Sequence, residues 1–220
     1  YVKERSKPKN ISFEKTFKRI RKESSDSFKL LKRYPEFLKL CVCGLFYQAG
    51  IAVVITLSAV YAQLVMKFTT AQTITLILVV NITAAIGAFV FGYVQDRLGH
   101  KKTLALTILL WIVMGVMAAF SQGPVSFWIA ANIAGIAMGS SQSAGRAVVA
   151  VFAPAGELAQ FYSAWNVAVW GANVLGPITY GTVTWLTSGD QRTAILVTTL
   201  FFVIGLLILR RVHLPSKTVC

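Results

Sequence analysis

From residue 40 onward the chain alternates between long apolar stretches and short polar or charged segments. Apolar runs of about 18 or more residues are typical of membrane-spanning helices, because that length crosses the hydrocarbon core of a bilayer. The pattern predicts six such helices, at 40–66, 72–94, 103–121, 125–150, 160–187 and 193–209. We therefore predict an all-α integral membrane protein with one transmembrane domain over 40–212 and a short tail at 213–220.

The composition agrees with this class of protein. Hydrophobic residues make up 55% of the 220 residues and charged residues only 14%, whereas soluble domains carry about 25% charged residues. Three cysteines without a cluster of histidines indicate neither a zinc site nor a disulfide framework. We expect no metal and no other cofactor.

Residues 1–39 form a strongly basic segment ahead of the first predicted span. They contain thirteen Lys and Arg against five Asp and Glu. Apolar residues recur between these charges at roughly helical spacing, namely Phe13, Phe17, Ile20, Phe28 and Leu31. This predicts a basic amphipathic cytoplasmic helix on the inner membrane surface, while a solvated linker explains the first ten residues equally well. Pro35 predicts a break before the first span.

The cations are distributed unevenly between the two ends of the predicted spans. Six crossings place the most basic segments on one side of the membrane, namely 1–39, 95–102, 153–159 and the residues after Arg210. The segments on the other side have only Lys67 and Arg192 as cations. Because positive loops stay in the cytoplasm, both ends of the chain are predicted to be cytoplasmic. The net charge of +14 therefore reflects topology and does not indicate a nucleic-acid partner.

Several predicted spans carry polar or small residues along one helical face. These are Asn81, Ala85, Ala88 and Gly92 in the second span, Asn132, Gly135, Gly139, Gln142 and Arg146 in the fourth, and Tyr162, Asn166, Trp170, Asn173 and Pro177 in the fifth. Polar groups are costly in hydrocarbon, so we expect these faces to meet other helices or a cavity. The third and sixth spans lack such a face and are predicted to contact lipid.

A charged segment joins the second and third spans and reads GYVQDRLGHKK, residues 92–102. Gly92 would let two helices approach closely, and Gly99 would allow a tight turn. The segment lies between two apolar runs, where charged residues need a structural reason. A solvated charged turn between two helices is the simpler alternative.

The charges of this segment follow a recognisable pattern. Asp96 is expected at a buried edge with Arg97 beside it, while Lys101 and Lys102 would hold the turn on the cytoplasmic side. The pattern Gly-x-x-x-Asp-Arg-x-Gly-x-Lys-Lys resembles the signature loop of the major facilitator superfamily, which joins the second and third helices of each six-helix half. The resemblance implies that this chain forms one half of a 6+6 helical bundle.

A longer stretch, residues 139–181, is similar to the vacuole-effluxer branch of that superfamily, the autophagy-related amino-acid effluxers. The similarity rests on features of the C-terminal half of that branch, here Gln142 with Arg146, Pro154-Ala155-Gly156, Phe161-Tyr162 and Leu175-Gly176-Pro177. It implies helices seven to twelve, with the N-terminal half of the same polypeptide as a partner. The chain begins with Tyr1 rather than methionine, which agrees with a fragment of a longer protein.

Two positions depart from the pattern of that branch. Where it often has Tyr-Asn-Asp in its seventh helix, this chain has Tyr47-Gln48-Ala49, and His100 replaces the more usual arginine of the signature loop. The first departure removes a carboxylate, and no Asp or Glu occurs near the middle of any predicted span. Proton coupling would therefore need a carboxylate from the missing half.

The resemblance also implies roles for individual residues. Asp96 and Arg146 are expected to meet across the second and fourth spans, either as a gate that opens during the cycle or as a static link. Candidates for the substrate path are Tyr47, Gln48, Asn81, Gln142, Asn166, Trp170 and Asn173. Hydrogen bonding or packing between helices is the alternative for each of them. Pro177, in Leu-Gly-Pro after Gly176, is expected to kink the fifth span.

The resemblance implies a secondary active transporter that works by alternating access and exports small polar solutes such as amino acids. It would act in the lipid bilayer of a bacterial plasma membrane or a eukaryotic vacuole. The alternative is a six-helix membrane protein without transport activity, such as a scaffold, a regulator or an orphan half-transporter. An enzyme is not expected, because the sequence contains no phosphate-binding loop, HExxH or Gly-x-Ser-x-Gly motif.

Overall fold

The computed structural model describes residues 30–215 and shows an all-helical chain over this range. Its six long helices are α1 (Pro35–Leu64), α2 (Thr70–Leu98), α3 (His100–Phe120), α4 (Pro124–Phe152), α5 (Leu158–Leu186) and α6 (Gln191–Arg210). Each lies over one of the predicted spans. The predictions for residues 1–29, which hold most of the basic segment, and for 216–220 lie outside the described residues.

Four of these helices, α1, α2, α3 and α6, are long and apolar enough to cross a membrane. α4 and α5 contain 29 residues each, or about 43 Å of helix, which exceeds the roughly 30 Å of a bilayer core. The small and polar residues along their faces make them less apolar than the other four. The sequence thus predicted every helix, while six membrane crossings stay a prediction.

The turn between α2 and α3 is much shorter than the predicted loop over 95–102. α2 continues to Leu98 and α3 begins at His100, so Gly99 alone separates them, with φ 82° and ψ 159°. Backbone of this kind is open almost only to glycine, which confirms the tight turn predicted at Gly99. The loop prediction was wrong in extent because apolar patterning marks where a membrane ends, and a helix can continue into charged sequence beyond it.

Replacing Gly99 by alanine should destabilise the protein by roughly 1–3 kcal/mol, the cost of forcing a side chain into such a backbone conformation. No atom of residues 30–215 lies within 4 Å of the position of an added Cβ, so the effect would come from backbone strain alone. Thermal unfolding of the purified protein measures it. Gly92→Ala is the control, because Gly92 lies within α2 and also faces open space; an equal loss of stability in both variants would contradict the strain argument.

The helices pack in a pattern with approximate two-fold symmetry. α2 packs most extensively on α4, and α5 on α1; α3 packs on α4, α6 on α1, and α3 and α6 on each other. Exchanging α1–α3 with α4–α6 reproduces every one of these pairs, as expected for two inverted three-helix repeats. α1 and α4 are equivalent in this arrangement and make few contacts with each other.

Glycines allow the two most extensive of these contacts. An added Cβ on Gly139 of α4 would lie 1.9 Å from the carbonyl oxygen of Ala84 in α2, and one on Gly176 of α5 would lie 2.2 Å from the carbonyl oxygen of Ala49 in α1. Gly135 and Gly139 of the predicted α4 face therefore meet α2, as predicted, whereas Gln142 and Arg146 of the same face are exposed. On α2 the prediction was one position off, because Ala84 and Gly87 are buried against α4 while Asn81 and Ala85 are exposed.

Gly92 makes no close helix contact within the described residues, which contradicts the role predicted for it. An added Cβ at this position would have no other described atom within 4 Å, apart from its immediate helical neighbours. Small size alone does not decide which glycines are at a helix crossing. The crossing of α2 with α4 is centred about one turn or more before Gly92, at Ala84 and Gly87.

α3 and α6 contribute more to the core than their predicted contact with lipid implied. Trp111 of α3 is fully buried and stacks on Phe202 of α6, with ring centroids 5.3 Å apart and planes 6° from parallel. The Trp111 indole Nε1 donates to Ser141 Oγ of α4 at 3.3 Å. The opposite faces of α3 and α6 expose apolar side chains such as Leu109 and Leu207. Those faces alone match the predicted contact with lipid.

Different hydrogen bonds link the helices at the two ends of the bundle. We call the end with the start of α1 and the end of α6 the terminal end, and the opposite end the far end. At the terminal end Lys101 Nζ donates to the carbonyls of Val212 (2.6 Å) and Arg210 (3.1 Å). At the far end Arg192 Nη2 donates to the Ser121 carbonyl at 2.8 Å. Both links join α3 to α6, which therefore hold together along their length.

Asp190 fixes where α6 begins. Its carboxylate accepts hydrogen bonds from the Thr193 hydroxyl at 2.5 Å and from the backbone N–H of Arg192 at 3.0 Å. These bonds, together with the positive charge of Arg192, hold the pKa of Asp190 below its ordinary value. A carboxylate at this position satisfies a free backbone donor of the first helical turn. The helix begins at Gln191, two residues before the start predicted for this membrane span, whose own boundary stays a prediction.

Candidate functional site

A cavity of about 400 Å³ lies among the helices in the half of the bundle towards the far end. Its exposed lining residues are Ile55 on α1 and Ile77 and Asn81 on α2. Since α1 and α2 make few contacts with each other, the cavity opens between them. Its volume falls in the range of ligand pockets, about 300–1,000 Å³.

The floor of the cavity is apolar and comes largely from α3 and α6. Trp111, Met114 and Phe202 lie there, all buried. Thr198 and Thr199 also line it, but their hydroxyls donate to the carbonyls of Ala194 and Ile195, each at 2.9 Å, within their own helix. The threonines therefore present mainly methyl groups to the cavity.

Two tyrosines line the cavity and use their hydroxyls within the protein. Tyr61 donates to the carbonyl of Ala118 at 2.8 Å, and Tyr180 donates to Oε1 of Gln191.

The mouth of the cavity differs from its walls. Asn81 donates from Nδ2 to the Ile77 carbonyl at 2.8 Å, which leaves its own carbonyl oxygen available. The half-buried Ser58, about one helical turn after the exposed lining residue Ile55 on α1, has no hydrogen bond to the described chain. Free polar groups are thus concentrated at the mouth.

At the terminal end the space between α1 and α4 is closed. Tyr47 of α1 is fully buried, and its hydroxyl would lie 2.5 Å from a Cβ added to Gly145 of α4. Trp165 of α5 packs beside it, with ring centroids 6.3 Å apart, and covers Gly44 of α1. The two equivalent helices α1 and α4 are therefore in contact at one end and separated by a cavity at the other.

The Tyr47 hydroxyl is buried without a hydrogen-bond partner in the described part of the chain. An unsatisfied buried polar group costs about 1–3 kcal/mol. Replacing Tyr47 by phenylalanine keeps the ring and should leave stability unchanged or raise it by up to about 1 kcal/mol. Thermal unfolding checks this. A clear loss of stability would contradict it and would mean that the hydroxyl is bonded, for example through a water molecule.

The other predicted substrate-path residues are divided between the interior and the surface. Gln48 is buried beside Tyr47, and Asn81 lies at the cavity mouth. Asn166, Trp170 and Asn173 share one face of α5, as predicted, but that face is exposed in the described chain, with Trp170 66% exposed. Gln142 of α4 is exposed as well. Of the predicted set, Asn81 is the one that lines the cavity.

The structure does not bring Asp96 and Arg146 into an ion pair. Both side chains are exposed, and the ion pairs within 4.0 Å in the described part of the chain join Glu36 to Lys39 and to His213. Asp96 was predicted at a buried edge, and this was wrong for the described conformation, because the last turn of α2 extends beyond the helices that pack on it. The backbone of Arg146 is held, since its carbonyl accepts from the Tyr162 hydroxyl at 3.0 Å.

The remaining residues of the predicted signature have separate positions. Arg97 is in the last turn of α2 and Lys102 in the first turn of α3, and both are exposed, whereas Lys101 binds the end of α6.

Pro177 lies inside α5, where it has no N–H to bond the carbonyl of Asn173 four residues earlier. The Asn173 carbonyl thus lacks its usual helical donor, whereas α5 runs as one helix from Leu158 to Leu186 and the kink at Pro177 stays a prediction.

Sequence reasoning missed the residues of the cavity floor. Trp111, Met114 and Phe202 lie in the two spans that contain no strong polar group, so nothing in their own type distinguished them from lipid-facing residues. A usable signal was Gly115 in the same α3 segment, where an added Cβ would lie 2.2 Å from Thr199 Oγ1. A glycine inside an otherwise bulky span indicates a close helix contact at that level.

The sequence matches the family model described as "Vacuole effluxer Atg22 like" over residues 1–219. It is 25% identical over 203 residues to the uncharacterized MFS-type transporter YxiO of Bacillus subtilis (strain 168). The aligned region covers 92% of this chain and 46% of YxiO. The chain thus spans about half the length of this curated relative.

Solved structures with the same fold include two from E. coli. The fucose:proton symporter FucP matches with a TM-score of 0.72 and 19% identity, over 96% of this chain and 48% of FucP. The xylose transporter XylE in its inward-open conformation matches with a TM-score of 0.67 and 19% identity, over 81% of this chain and 47% of XylE. At these identities the likeness establishes the fold, which is that of one half of such a transporter.

Proposed function

Since the chain belongs to the vacuole effluxer Atg22-like family, we propose that it forms the C-terminal six-helix half of a secondary active transporter that works by alternating access. All six helices would cross the membrane, with both ends of the chain in the cytoplasm. The basic segment before α1 would then be the central cytoplasmic linker, as its thirteen cations favour. The membrane would be a bacterial plasma membrane or a eukaryotic vacuolar membrane.

The observation that carries this proposal is the cavity between α1 and α4. These helices touch at Tyr47 and Gly145 near the terminal end and leave about 400 Å³ open towards the far end. A half with one closed and one open end is what alternating access requires of each conformational state. The solute would bind at the open end. It would leave at the opposite end after the first end has closed and the second has opened.

A second six-helix half would complete the protein. α2 and α5 expose large apolar side chains along much of their length, among them Ile82, Phe89, Val174 and Ile178. The exposed amides of Asn166 and Asn173 lie on that same surface of α5, and amides are costly against lipid. The N-terminal half of the same polypeptide is the proposed cover, since this chain spans about half of YxiO and of FucP.

We propose small polar solutes such as amino acids as the exported substrates. Ser58 and Asn81 at the cavity mouth, together with Gln142, Asn166 and Asn173, are uncharged groups suited to hydrogen bonding of a solute that is neutral overall. Trp170 and Tyr47 would also contact the solute along its path, the first on the surface facing the proposed second half and the second where α1 and α4 meet.

Asp96 and Arg146 are proposed to pair in only one conformational state. Both lie towards the terminal end of α2 and α4, the two helices that pack most extensively, and neither is paired with the other here. A pair that forms only in one state contributes differently to the two states, which is what a gate requires. Gly99 would support it by fixing the turn that carries Arg97, Lys101 and Lys102.

The proposal is tested by flux in proteoliposomes that contain the intact protein. Release and uptake of a pool of labelled amino acids would be measured with and without a pH gradient, for the parent and for Arg146→Ala. Arg211→Ala is the matched control, since Arg211 is an exposed cation just after α6. We expect flux in the parent and in the control, and loss of flux in Arg146→Ala. Folded parent protein without flux of any solute pool would favour the non-transporting scaffold instead.

A further inference from the structure

Resting on the proposed transport function, we infer that α3 and α6 supply a specificity-determining floor to the solute site. Trp111, Met114 and Phe202 receive an uncharged apolar group of the solute, and Ser58 and Asn81 at the mouth bind its polar end. The two helices with the most apolar sequence thus select substrates by the size and polarity of one group.

The chemistry of the lining defines the group that fits. Among the described residues, no Lys, Arg, His, Asp or Glu lines the cavity, and the hydroxyls of Thr198, Thr199, Tyr61 and Tyr180 already donate within the protein. A charged or strongly polar group placed there would lose its hydration without gaining partners. An aliphatic or aromatic group gives up no hydrogen bonds to water there and gains contact with the stacked rings of Trp111 and Phe202.

The arrangement of polar groups defines the orientation of the solute. Asn81 keeps a free carbonyl oxygen and Ser58 a free hydroxyl, and both lie at the mouth rather than on the floor. A solute with one apolar and one polar end would therefore bind with its apolar end inward. Formal charges on its polar end would find no charged partner on this cavity and would have to be matched by the second half or by water.

Met114 and Ala131 set the space available to the apolar group. Met114 on α3 is buried with its flexible thioether at the floor, so Met114→Ala deepens the cavity. Ala131 on α4 is half-buried on the wall, so Ala131→Leu fills it. Val113→Ala on the exposed face of α3 is the matched control, because it removes a similar side chain beside Met114 but outside the cavity.

The first arm of the test is a competition series in proteoliposomes of the intact protein. Glycine, alanine, valine, leucine and phenylalanine compete with a labelled pool of neutral amino acids. In the parent, potency should rise with side-chain size up to a limit; Met114→Ala should move the limit to larger side chains and Ala131→Leu to smaller ones, each by roughly tenfold for the affected competitor. The Val113→Ala series should equal that of the parent. An unchanged series in both cavity variants overturns the inference.

The second arm needs no transported solute. In a background with Cys41, Cys43 and Cys220 replaced by alanine, Thr198→Cys is treated with neutral butyl and charged trimethylammonium-ethyl methanethiosulfonates. The thiolate of the introduced cysteine attacks the reagent sulfur, forms a disulfide and releases methanesulfinate. The neutral reagent should react at least about tenfold faster per thiolate than the charged one, and Ala131→Leu should slow it.

The two arms separate failure of the inference from failure of the proposed function. One outcome is that no amino acid is transported, while Thr198→Cys reacts faster with the neutral reagent and Ala131→Leu slows that reaction. In that case the assignment of amino acids as substrates fails and the apolar floor stands. If transport is observed while Thr198→Cys is inert or shows no preference for the neutral reagent, the floor does not take part and the inference fails.

Discussion

Replacing Gly139 by alanine should destabilise the protein by about 3 kcal/mol, the upper part of the range for overpacked cores. The added Cβ would lie 1.9 Å from the carbonyl oxygen of Ala84, and 2.8 Å from its carbonyl carbon. These are backbone atoms of α2, so no side-chain rotation can relieve the clash. The two helices would have to separate at their closest point, along the most extensive helix contact of the chain.

The measurement is thermal unfolding in detergent, with the fraction of monodisperse protein after purification as a second readout. Gly181→Ala provides the matched control, since it adds the same methyl group inside α5 where nothing lies within 4 Å. Alanine favours helix over glycine by about 1 kcal/mol, so the control should be as stable as the parent or more stable. Equal stability of the two variants would show that α2 and α4 do not approach as closely as described.

Replacing Trp111 by alanine should have a similar or larger effect, a loss of about 3–5 kcal/mol. The side chain is fully buried, stacks on Phe202 of α6 and bonds Ser141 of α4. Its removal leaves a void where three helices meet and leaves the Ser141 hydroxyl without that donor. Because this void adjoins the cavity, the variant should also lose discrimination between solutes of different size.

Two further variants separate these effects in the same unfolding assay. Trp111→Phe keeps a ring against Phe202 and should lose much less stability than the alanine variant. Trp170→Ala removes the same side chain from an exposed position on α5 and should change the stability of the described bundle little. A Trp170 variant as unstable as Trp111→Ala would mean that burial in this chain does not determine which tryptophan supports the fold.

Apolar patterning predicted the helices well because each has to be apolar along most of its length, whether it faces lipid or protein. For the same reason it could not predict which face of a helix is buried. Trp111 and Leu109 lie two positions apart in one apolar run, yet the first is fully buried and the second is 45% exposed. In a soluble protein the exposed position would be polar and the difference would be visible in the sequence.

The small residues of the sequence predicted some helix contacts correctly and others wrongly. Gly139 and Gly176 are at crossings, whereas Gly92 and Gly181 are in open space. Whether a glycine meets a neighbour depends on the crossing angle and register of two helices, which are set by long-range packing rather than by local sequence. The signature segment shows the same division: Gly99 has the backbone conformation that its type predicts, while Asp96 is exposed and makes no ion pair with Arg146 in the described chain.

Of the polar residues predicted for the substrate path, Asn81 lines the cavity, and most of the lining residues are apolar ones that were not predicted. Amides attract attention in a membrane sequence because they are costly there, and Asn81 was found in this way. The floor formed by Trp111, Met114 and Phe202 carries no such signal. A binding surface for an apolar group is hidden among apolar residues until the packing is known.

Reciprocal accessibility of the two ends of the bundle tests alternating access most directly. Single cysteines would be placed at Ile77, an exposed residue at the cavity mouth, and at Ala150, an exposed residue of α4 near the terminal end. A membrane-impermeant maleimide would be applied to each side of proteoliposomes of the intact, transport-competent protein. Labelling rates would be compared with and without a saturating transported solute.

We expect the solute to change the two labelling rates in opposite directions, because one end closes as the other opens. Phe120→Cys, on the exposed face of α3, serves as the position whose rate should not change. Rates at Ile77 and Ala150 that stay constant, or that rise and fall together, would contradict alternating access in this chain.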